Sequence, residues 1–187
     1  AADKPAMTGN IAHIVAIASG KGGVGKSTVT ANLAVALRNR GFRVGILDAD
    51  IYGPSQPKMF GLEGYLPEAE QVDGQDIILP AETMDMKIMS IGFFVKPSDA
   101  LLWRGAMAVN ALRQMIHQTR WGALDFLLVD LPPGTSDAPL TLLQTADLDG
   151  FLGVTTPQGL AGMVVEKSLR MVHRLEVPIL GLVENWS

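Results

Sequence analysis

The sequence predicts a doubly wound α/β fold, in which a mainly parallel β-sheet carries helices on both faces. Short, nearly continuous apolar runs, such as residues 11–18, are typical of strands that are buried on both faces. Segments with apolar residues at helical spacing, such as residues 29–40, alternate with these runs. Because strands and helices alternate along the chain, we expect parallel pairing through helical crossovers.

Strands and helices can be placed in order from this pattern. Strands are predicted at residues 11–18, 44–47, 126–129, 151–155 and 179–183, and helices at residues 29–40, after residue 105 and over residues 160–175. Gly41 is well placed to stop the first helix. Residues 63–82 form the least regular part of the chain. Residues 76–79 and 87–94 are interpreted as two short strands that form a small β-hairpin insertion.

Length and composition restrict the class of protein. The chain has 187 residues, of which 48% are hydrophobic and 18% are charged, which predicts one globular domain over residues 11–187. Residues 1–10 lack an apolar signal core and are expected to be a disordered leader or an expression remnant. The net charge of −4 argues against binding to nucleic acid or a membrane by bulk electrostatics. No apolar run reaches the roughly 18 residues of a membrane span, so we expect a cytoplasmic protein.

A glycine-rich loop, residues 20–28, follows the first predicted strand. It has the spacing G-x-x-x-x-G-K-[ST] between a strand and a helix, the setting that a phosphate-binding loop requires. Its residues are Gly20, Lys21, Gly22, Gly23, Val24, Gly25, Lys26, Ser27 and Thr28. Glycines permit positive φ angles, so that backbone N–H groups can point at phosphate oxygens, and the helix adds its positive dipole end. We predict that Lys26 reaches the β- and γ-phosphates and that the Ser27 hydroxyl binds Mg²⁺.

Acidic residues follow two of the predicted strands. A strand that ends in an acid, here Asp130, is a usual partner of a phosphate loop, and we predict that this carboxylate holds Mg²⁺ through water. Asp48 and Asp50 point to one face if the second strand continues through them. We predict that Asp50 orients an attacking water, with Asp48 in support or in contact with Mg²⁺. The alternative is that one of the two only caps the following turn.

Lys21 and Asn185 each have a functional and a structural interpretation. Lys21 adds a second positive charge to the loop, which fits a residue that stabilises transition-state charge, as an arginine finger does; the alternative is a solvated loop lysine. Asn185 follows the last predicted strand, where its amide offers a donor and an acceptor to an adenine edge. A turn asparagine is nearly as compatible with that position.

These motifs together resemble those of a known family. The segment from Gly20 to Ser27, with its early lysine, resembles the deviant phosphate loop of the MinD/ParA class of P-loop ATPases. Residues 48–55, Asp-Ala-Asp-Ile-Tyr-Gly-Pro-Ser, are similar to the Mrp/ApbC branch, whose members are implicated in iron–sulfur cluster assembly and transfer. Residues 103–105, 129–135 and 183–185 resemble further segments of that branch, so the resemblance covers nearly the whole chain.

The resemblance implies a slow ATPase that requires ATP and Mg²⁺ and acts as a nucleotide-dependent homodimer. Its other partners would be iron–sulfur client or assembly proteins, with no membrane and no strong nucleic-acid signal. Lys26, Ser27 and Thr28 would bind phosphate and Mg²⁺, and Lys21 would reach the nucleotide of the partner subunit.

The resemblance also implies two switch segments and a base contact. Asp50 would belong to the first switch and residues 130–134 to the second, with Gly134 among the nucleotide-binding residues. Asn185 would contact adenine.

The sequence departs from the family pattern in several places. Ala106, Ser136 and Trp186 stand where the family has proline, glycine and methionine. The family's Cys-x-x-Cys pair, which bridges a cluster between subunits, would follow shortly after Ser187, so we expect a C-terminal segment to be missing. The sequence contains no cysteine, and these residues therefore supply no disulfide and no thiolate ligand to an iron–sulfur cluster.

Two other functions are compatible with the same motifs. A MinD/ParA-like positioning ATPase that assembles on DNA or a membrane would use Lys21 and both switches equally well, but it would need a basic surface or a basic amphipathic tail. A regulatory protein that binds nucleotide, dimerises and recruits a partner with little turnover would need the same loop.

Overall fold

The computed structural model describes residues 9–96, 98–99, 106–134, 148–157, 170, 173 and 176–185. Residues 103–105 and 135, which contribute to the family resemblance, lie outside the described residues. The helix expected over residues 160–175 is described only at positions 170 and 173, and both are helical.

Nine strands and three α-helices make up the described part of the chain. The strands are β1 (Gly9–Ser19), β2 (Val44–Asp48), β3 (Ala69–Val72), β4 (Gln75–Ile78), β5 (Ala81–Thr83), β6 (Met86–Ser90), β7 (Gly122–Asp130), β8 (Gly150–Thr155) and β9 (Ile179–Glu184). The helices are α1 (Lys26–Asn39), α2 (Gln56–Met59) and α3 (Ala106–Gln118), with a 3-10 turn at Ile91–Phe93.

The main sheet has seven strands in the order β5-β6-β2-β7-β1-β8-β9. All neighbouring strands are parallel except β5, which is antiparallel to β6 at one edge. This architecture confirms the predicted doubly wound α/β fold. No helix in the described ranges is long and apolar enough to cross a membrane.

Both faces of the central strands are buried, which is why their sequences are continuously apolar. Ile14, Ala16 and Ala18 of β1 point into a core with residues of α3, including Leu112. Val15 and Ile17 point into a second core on the opposite face, with residues of α1. The period-two alternation of a strand divides its side chains between these two layers.

Several boundaries differ from the predictions, and β7, for example, begins at Gly122 rather than at residue 126. β1 begins at Gly9, because Gly9 and Asn10 pair with β7, so the strand enters the segment predicted to be a leader. α1 begins at Lys26 rather than residue 29, because the end of the glycine-rich loop is already the first helical turn. β6 ends at Ser90, because the chain then turns into the 3-10 segment.

The predicted hairpin exists, but with other partners. β4 pairs with β3 in a separate two-stranded antiparallel sheet, and β6 pairs with β5 and β2 in the main sheet. The interpretation that residues 76–79 pair with residues 87–94 is therefore wrong. The physical reason is burial: four of the five residues of β6 are buried, as a strand inside the main sheet requires, whereas β3 is exposed throughout.

The carboxyl ends of the parallel strands meet at one edge of the sheet. Asp48 at the end of β2 is level with Asp130 at the end of β7, and Asp130 is level with Ile17 in β1. The glycine-rich loop leaves β1 at this edge. Polar side chains from three strand ends and the loop are therefore brought together, as expected at the ligand edge of an open α/β sheet.

Candidate functional site

The glycine-rich loop wraps over the N-terminus of α1. Gly23 has φ = 77° and Gly25, the residue before the helix, has φ = 83°, a region that side-chain-bearing residues rarely adopt. The first helical hydrogen bond runs from the Val29 N–H to the Gly25 carbonyl (2.9 Å). The N–H groups of Lys26, Ser27 and Thr28 therefore precede the first intrahelical donor, and they are available to an anion at the positive end of the dipole.

A cavity of about 250 Å³ lies against this loop. Its lining residues come from the loop, from the end of β1 and from the segments after β2 and β7: Ser19, Gly22, Gly23, Gly25, Lys26, Ser27, Thr28, Asp50, Gly53 and Pro133. Within the described part of the chain, this lining includes six of the nine loop residues and omits Gly20, Lys21 and Val24. Val24 instead packs its side chain into the core on the α1 face.

Lys26 lies between two carboxylates at the wall of this cavity. Its ammonium donates a hydrogen bond to Oδ1 of Asp130 and lies 3.8 Å from Oδ2 of Asp50. Lys26 is only 5% exposed and Asp130 is fully buried, so little water screens these charges. A cation that lies beside two carboxylates at a helix N-terminus can exchange them for phosphate oxygens.

Asp50 caps the following turn with one carboxylate oxygen and faces Lys26 with the other. β2 ends at Asp48, so the premise of a continuing strand is wrong, and the chain turns after Asp50. Oδ1 of Asp50 accepts from the backbone N–H groups of Tyr52 and Gly53 (both 3.2 Å), which caps this turn, while Oδ2 faces Lys26. Burial raises the pKa of Asp50, Lys26 opposes that rise, and Asp130 adds to it.

Asp48 is fully buried behind the cavity. Its Oδ1 accepts from the N–H of Asp50 (3.2 Å), and its Oδ2 accepts from the N–H of Gln56 (3.1 Å) and the hydroxyl of Ser90 (3.2 Å). Burial, and then the nearby charge of Asp130, raise its pKa to about 7, although the backbone hydrogen bonds oppose the rise. Both carboxylate oxygens are thus engaged by the protein, and Asp48 does not line the cavity.

Gln56 is one residue of this site that the sequence reasoning missed. It begins α2 and is fully buried, and its Nε2 donates to the carbonyl of Ser27 (2.9 Å) and to Oδ2 of Asp130 (3.0 Å). A glutamine beside Ser55 and Pro57 in a turn-rich segment gives no local signal of burial. Only the tertiary packing against the loop and β7 identifies it.

The remaining predicted residues lie around this centre. Asn185 donates through Nδ2 to the carbonyl of Val24 (3.0 Å), so it ties the end of β9 to the glycine-rich loop. The N–H of Gly134 donates to the carbonyl of Ser19 (2.9 Å), which holds the segment after β7 beside the loop. Lys21 accepts at its backbone carbonyl from the hydroxyl of Ser19 (2.9 Å).

The donor set fits a magnesium ion that is bound together with a phosphate ligand. Among the described residues, no group of three or more His, Cys, Asp or Glu side chains could hold a metal ion by itself. Mg²⁺ in nucleotide sites usually takes one or two carboxylates, phosphate oxygens and several waters. The Ser27 hydroxyl lines the cavity, and the Asp130 carboxylate lies behind it in contact with Lys26; both are oxygen donors of this type.

Known proteins resemble this chain along most of its length. A curated iron–sulfur cluster carrier protein of Aquifex aeolicus is 51% identical over 178 residues, which are 95% of this chain and 48% of that protein. The protein of the same description from Escherichia coli K12 is 46% identical over 185 residues, 99% of this chain and 49% of that protein. The chain thus spans about half the length of these curated relatives.

Solved structures agree with the fold. A nucleotide-binding protein from Archaeoglobus fulgidus, determined in complex with ADP and with cobalt, superposes with a TM-score of 0.78 at 45% identity, over 93% of this chain and 66% of that one. The cell division ATPase MinD of Pyrococcus furiosus superposes with a TM-score of 0.69 at 24% identity, over 92% and 71% of the two chains, and shares the fold. The model of the ParA family, described as NUBPL iron-transfer P-loop NTPase, matches residues 10–187. The chain belongs to this family of P-loop NTPases.

Proposed function

We propose that this chain binds Mg-ATP and hydrolyses it slowly, as a nucleotide-dependent homodimer that serves iron–sulfur cluster assembly or transfer. One observation carries the proposal: the buried Lys26 ammonium lies between Asp50 and Asp130 at the N-terminus of α1, on the wall of a cavity. Sites of phosphoryl transfer use a helix N-terminus, a lysine and carboxylates that follow neighbouring strands, and all of these groups are present here.

The phosphates would lie over the first turn of α1. The N–H groups of the loop would donate to phosphate oxygens, and Lys26 would leave Asp130 for the β- and γ-phosphates. Ser27 and Asp130 would hold Mg²⁺, with Asp130 acting through water, and the ion would neutralise charge on the transferred phosphate. Thr28 lines the same cavity and would contact phosphate.

Asp50 and Lys21 would act on the hydrolytic step. Asp50 has one oxygen directed at Lys26 inside the cavity, and its raised pKa suits a group that accepts hydrogen bonds from an attacking water. Lys21 would stabilise charge on the phosphate of the partner subunit, as an arginine finger supplied in trans does. Asp48 would support both by holding the turn through the N–H of Asp50.

The base would lie near the end of β9. Asn185 uses its Nδ2 to hold Val24, which leaves its carbonyl oxygen as the atom to accept from the amino group of adenine. The segment that contains Gly134 would move with the γ-phosphate as the second switch.

The iron–sulfur part of the proposal comes from the family. Relatives at 46–51% identity are described as iron–sulfur cluster carrier proteins, and the matching family is described as iron-transfer. These 187 residues contain no cysteine, so thiolates for a cluster would come from outside them. Such a role, and the ATP that it uses, fit the cytoplasmic location expected from the sequence.

Phosphate release from Mg-ATP tests the proposal. The substitutions Lys21→Ala and Asp50→Ala are each expected to reduce release by at least about 100-fold, while both variants still bind ATP. Lys58→Ala, on an exposed face of α2, is the control and should match the wild type. Unchanged release in Lys21→Ala or Asp50→Ala would refute the role assigned to that residue, and absence of release from the wild type would leave only a binding protein.

The iron–sulfur role needs a separate experiment. A host whose own copy of the gene carries Asp50→Ala should lose activity of iron–sulfur enzymes while enzymes without clusters stay active. Normal iron–sulfur enzyme activity in that host would remove this part of the proposal and leave the ATPase part standing.

A further inference from the structure

Gln56 joins three parts of the site. Its backbone N–H donates to Asp48 at the end of β2, and its Nε2 donates to the Ser27 carbonyl in α1 and to Asp130 at the end of β7. The side chain is completely buried. These hydrogen bonds therefore hold the first turn of α2 directly against Ser27 at the start of α1 and against Asp130.

Only an amide fits the position of this side chain. Its nitrogen faces a backbone carbonyl and a carboxylate, both of which are acceptors, so the orientation of the amide follows from its partners. A glutamate would direct a carboxylate at two acceptors, and an apolar residue would leave Oδ2 of Asp130 without this donor. The amide thus holds one carboxylate oxygen of Asp130 while Lys26 contacts the other.

The other end of the amide has no partner within the described part of the chain. Oε1 of Gln56 is buried and lacks a hydrogen-bond donor, as does the nearby Oγ of Ser55. A buried acceptor left without a donor loses the hydrogen bonds that it makes to water in the unfolded chain. Oε1 belongs to the planar amide whose Nε2 contacts the Ser27 carbonyl and Asp130, so it lies close to two of the residues assigned to Mg²⁺.

A water bound to a magnesium ion at this position would donate the missing hydrogen bond. Mg²⁺ in nucleotide sites keeps several of its waters, and each of these waters needs acceptors for its protons. Hydrogen bonds between protein groups and the ligands of a metal orient those ligands and strengthen the binding of the metal.

Resting on the proposed Mg-nucleotide site, we propose that Gln56 is a positioning residue for the metal. Its Nε2 fixes the Asp130 carboxylate against the first turn of α1, and its Oε1 accepts a hydrogen bond from a water on the metal.

Binding of the non-hydrolysable analogue AMP-PNP, with Mg²⁺ and with EDTA, tests this role. Gln56→Met keeps the length of the side chain and removes both amide contacts. The variant should bind the analogue in EDTA within about twofold of the wild type, while the gain in affinity from Mg²⁺ should fall by about 10–100-fold. Gln71→Met, in the exposed β3–β4 hairpin, is the matched control and should keep the full gain.

The outcomes separate this role from a structural one. Equal loss of affinity with and without Mg²⁺ would mean that Gln56 only supports the fold, and an unchanged gain would mean that it has no role in metal binding; either result overturns the inference. A wild type whose binding shows no dependence on Mg²⁺ would instead refute the proposed function on which it rests.

The wild-type protein provides a second measurement that does not depend on the variant's folding. The side-chain amide signal of Gln56 in a ¹H–¹⁵N spectrum should shift when Mg²⁺ is added to the AMP-PNP complex. A signal that stays in place would mean that no metal-bound water contacts Oε1, and it would overturn the inference.

Discussion

At the scale of single residues, the site concentrates negative charge around one buried ammonium. Asp48, Asp50 and Asp130 lie at two neighbouring strand ends, and Lys26 contacts two of them. Burial raises the pKa values of Asp48 and Asp50, and the nearby charge of Asp130 raises both further. Lys26 therefore stabilises the site itself as well as preparing it for phosphate.

Removal of this ammonium should destabilise the protein. Lys26→Met leaves the buried carboxylates without their cation, and we expect the free energy of unfolding at pH 8 to fall by about 3–5 kcal/mol. Urea denaturation of the nucleotide-free wild type and variant measures this difference in the free energy of unfolding. Lys58→Met, on the exposed surface of α2, should change it by less than about 0.5 kcal/mol. Equal losses in the two variants would contradict the account of Lys26.

Asp48 should make the stability depend on pH. Its pKa is about 7 in the folded protein and near 3.8 in the unfolded chain, so the folded state binds the proton more tightly. The stability that it contributes is present below pH 3.8 and is lost as the pH rises towards 7. Relative to Asp48→Asn, the unfolding free energy of the wild type should therefore decrease by up to about 1.4 kcal/mol per pH unit between those values.

Asp125→Asn is the control for this pH series. Asp125 is partly exposed and paired with Arg43, whose hydrogen bonds lower its pKa, so it stays ionised throughout the range from pH 5 to 8. Its difference from the wild type should be constant over that range. A constant difference for Asp48→Asn as well would contradict the assigned burial effect.

At the scale of secondary-structure elements, the sequence predicted the features that depend on local patterns of apolar and polar residues. The central strands are apolar on both faces because both faces are covered, so residues 44–47 and 126–129 could be recognised directly. Strand partners were beyond that reasoning, because the pairing of β6 with β2 joins segments about 40 residues apart. The burial of Gln56 was equally hidden, since it depends on contacts with Ser27 and Asp130 rather than on its neighbours.

The packing of β2 gives a prediction at this scale. A Cβ on Gly45 would lie 2.7 Å from Cδ1 of Leu124 and 3.2 Å from the ring of the fully buried Trp121. Because this core has little room to move, Gly45→Ala should lower the free energy of unfolding by about 1–3 kcal/mol. In β9, a Cβ on Gly181 would meet its nearest atom at an ordinary 3.8 Å, so Gly181→Ala is the matched control. Equal stability of the two variants in urea would contradict this packing.

At the scale of the whole molecule, the central claim is that a second copy of the chain completes the site. Asp50 lines the cavity of its own subunit, whereas Lys21 is assigned to the nucleotide of the partner. Each active site of the dimer would then need Asp50 from one chain and Lys21 from the other. A homodimer with two-fold symmetry contains two such sites.

Mixing two inactive variants tests this claim most directly. Lys21→Ala and Asp50→Ala should each release almost no phosphate from Mg-ATP alone. When the two are mixed in equal amounts, half of the dimers should pair one of each, and such a dimer has one site with both residues intact. The account predicts recovery of about a quarter of wild-type phosphate release. A mixture that remains as inactive as its components, although the chains exchange, would contradict it.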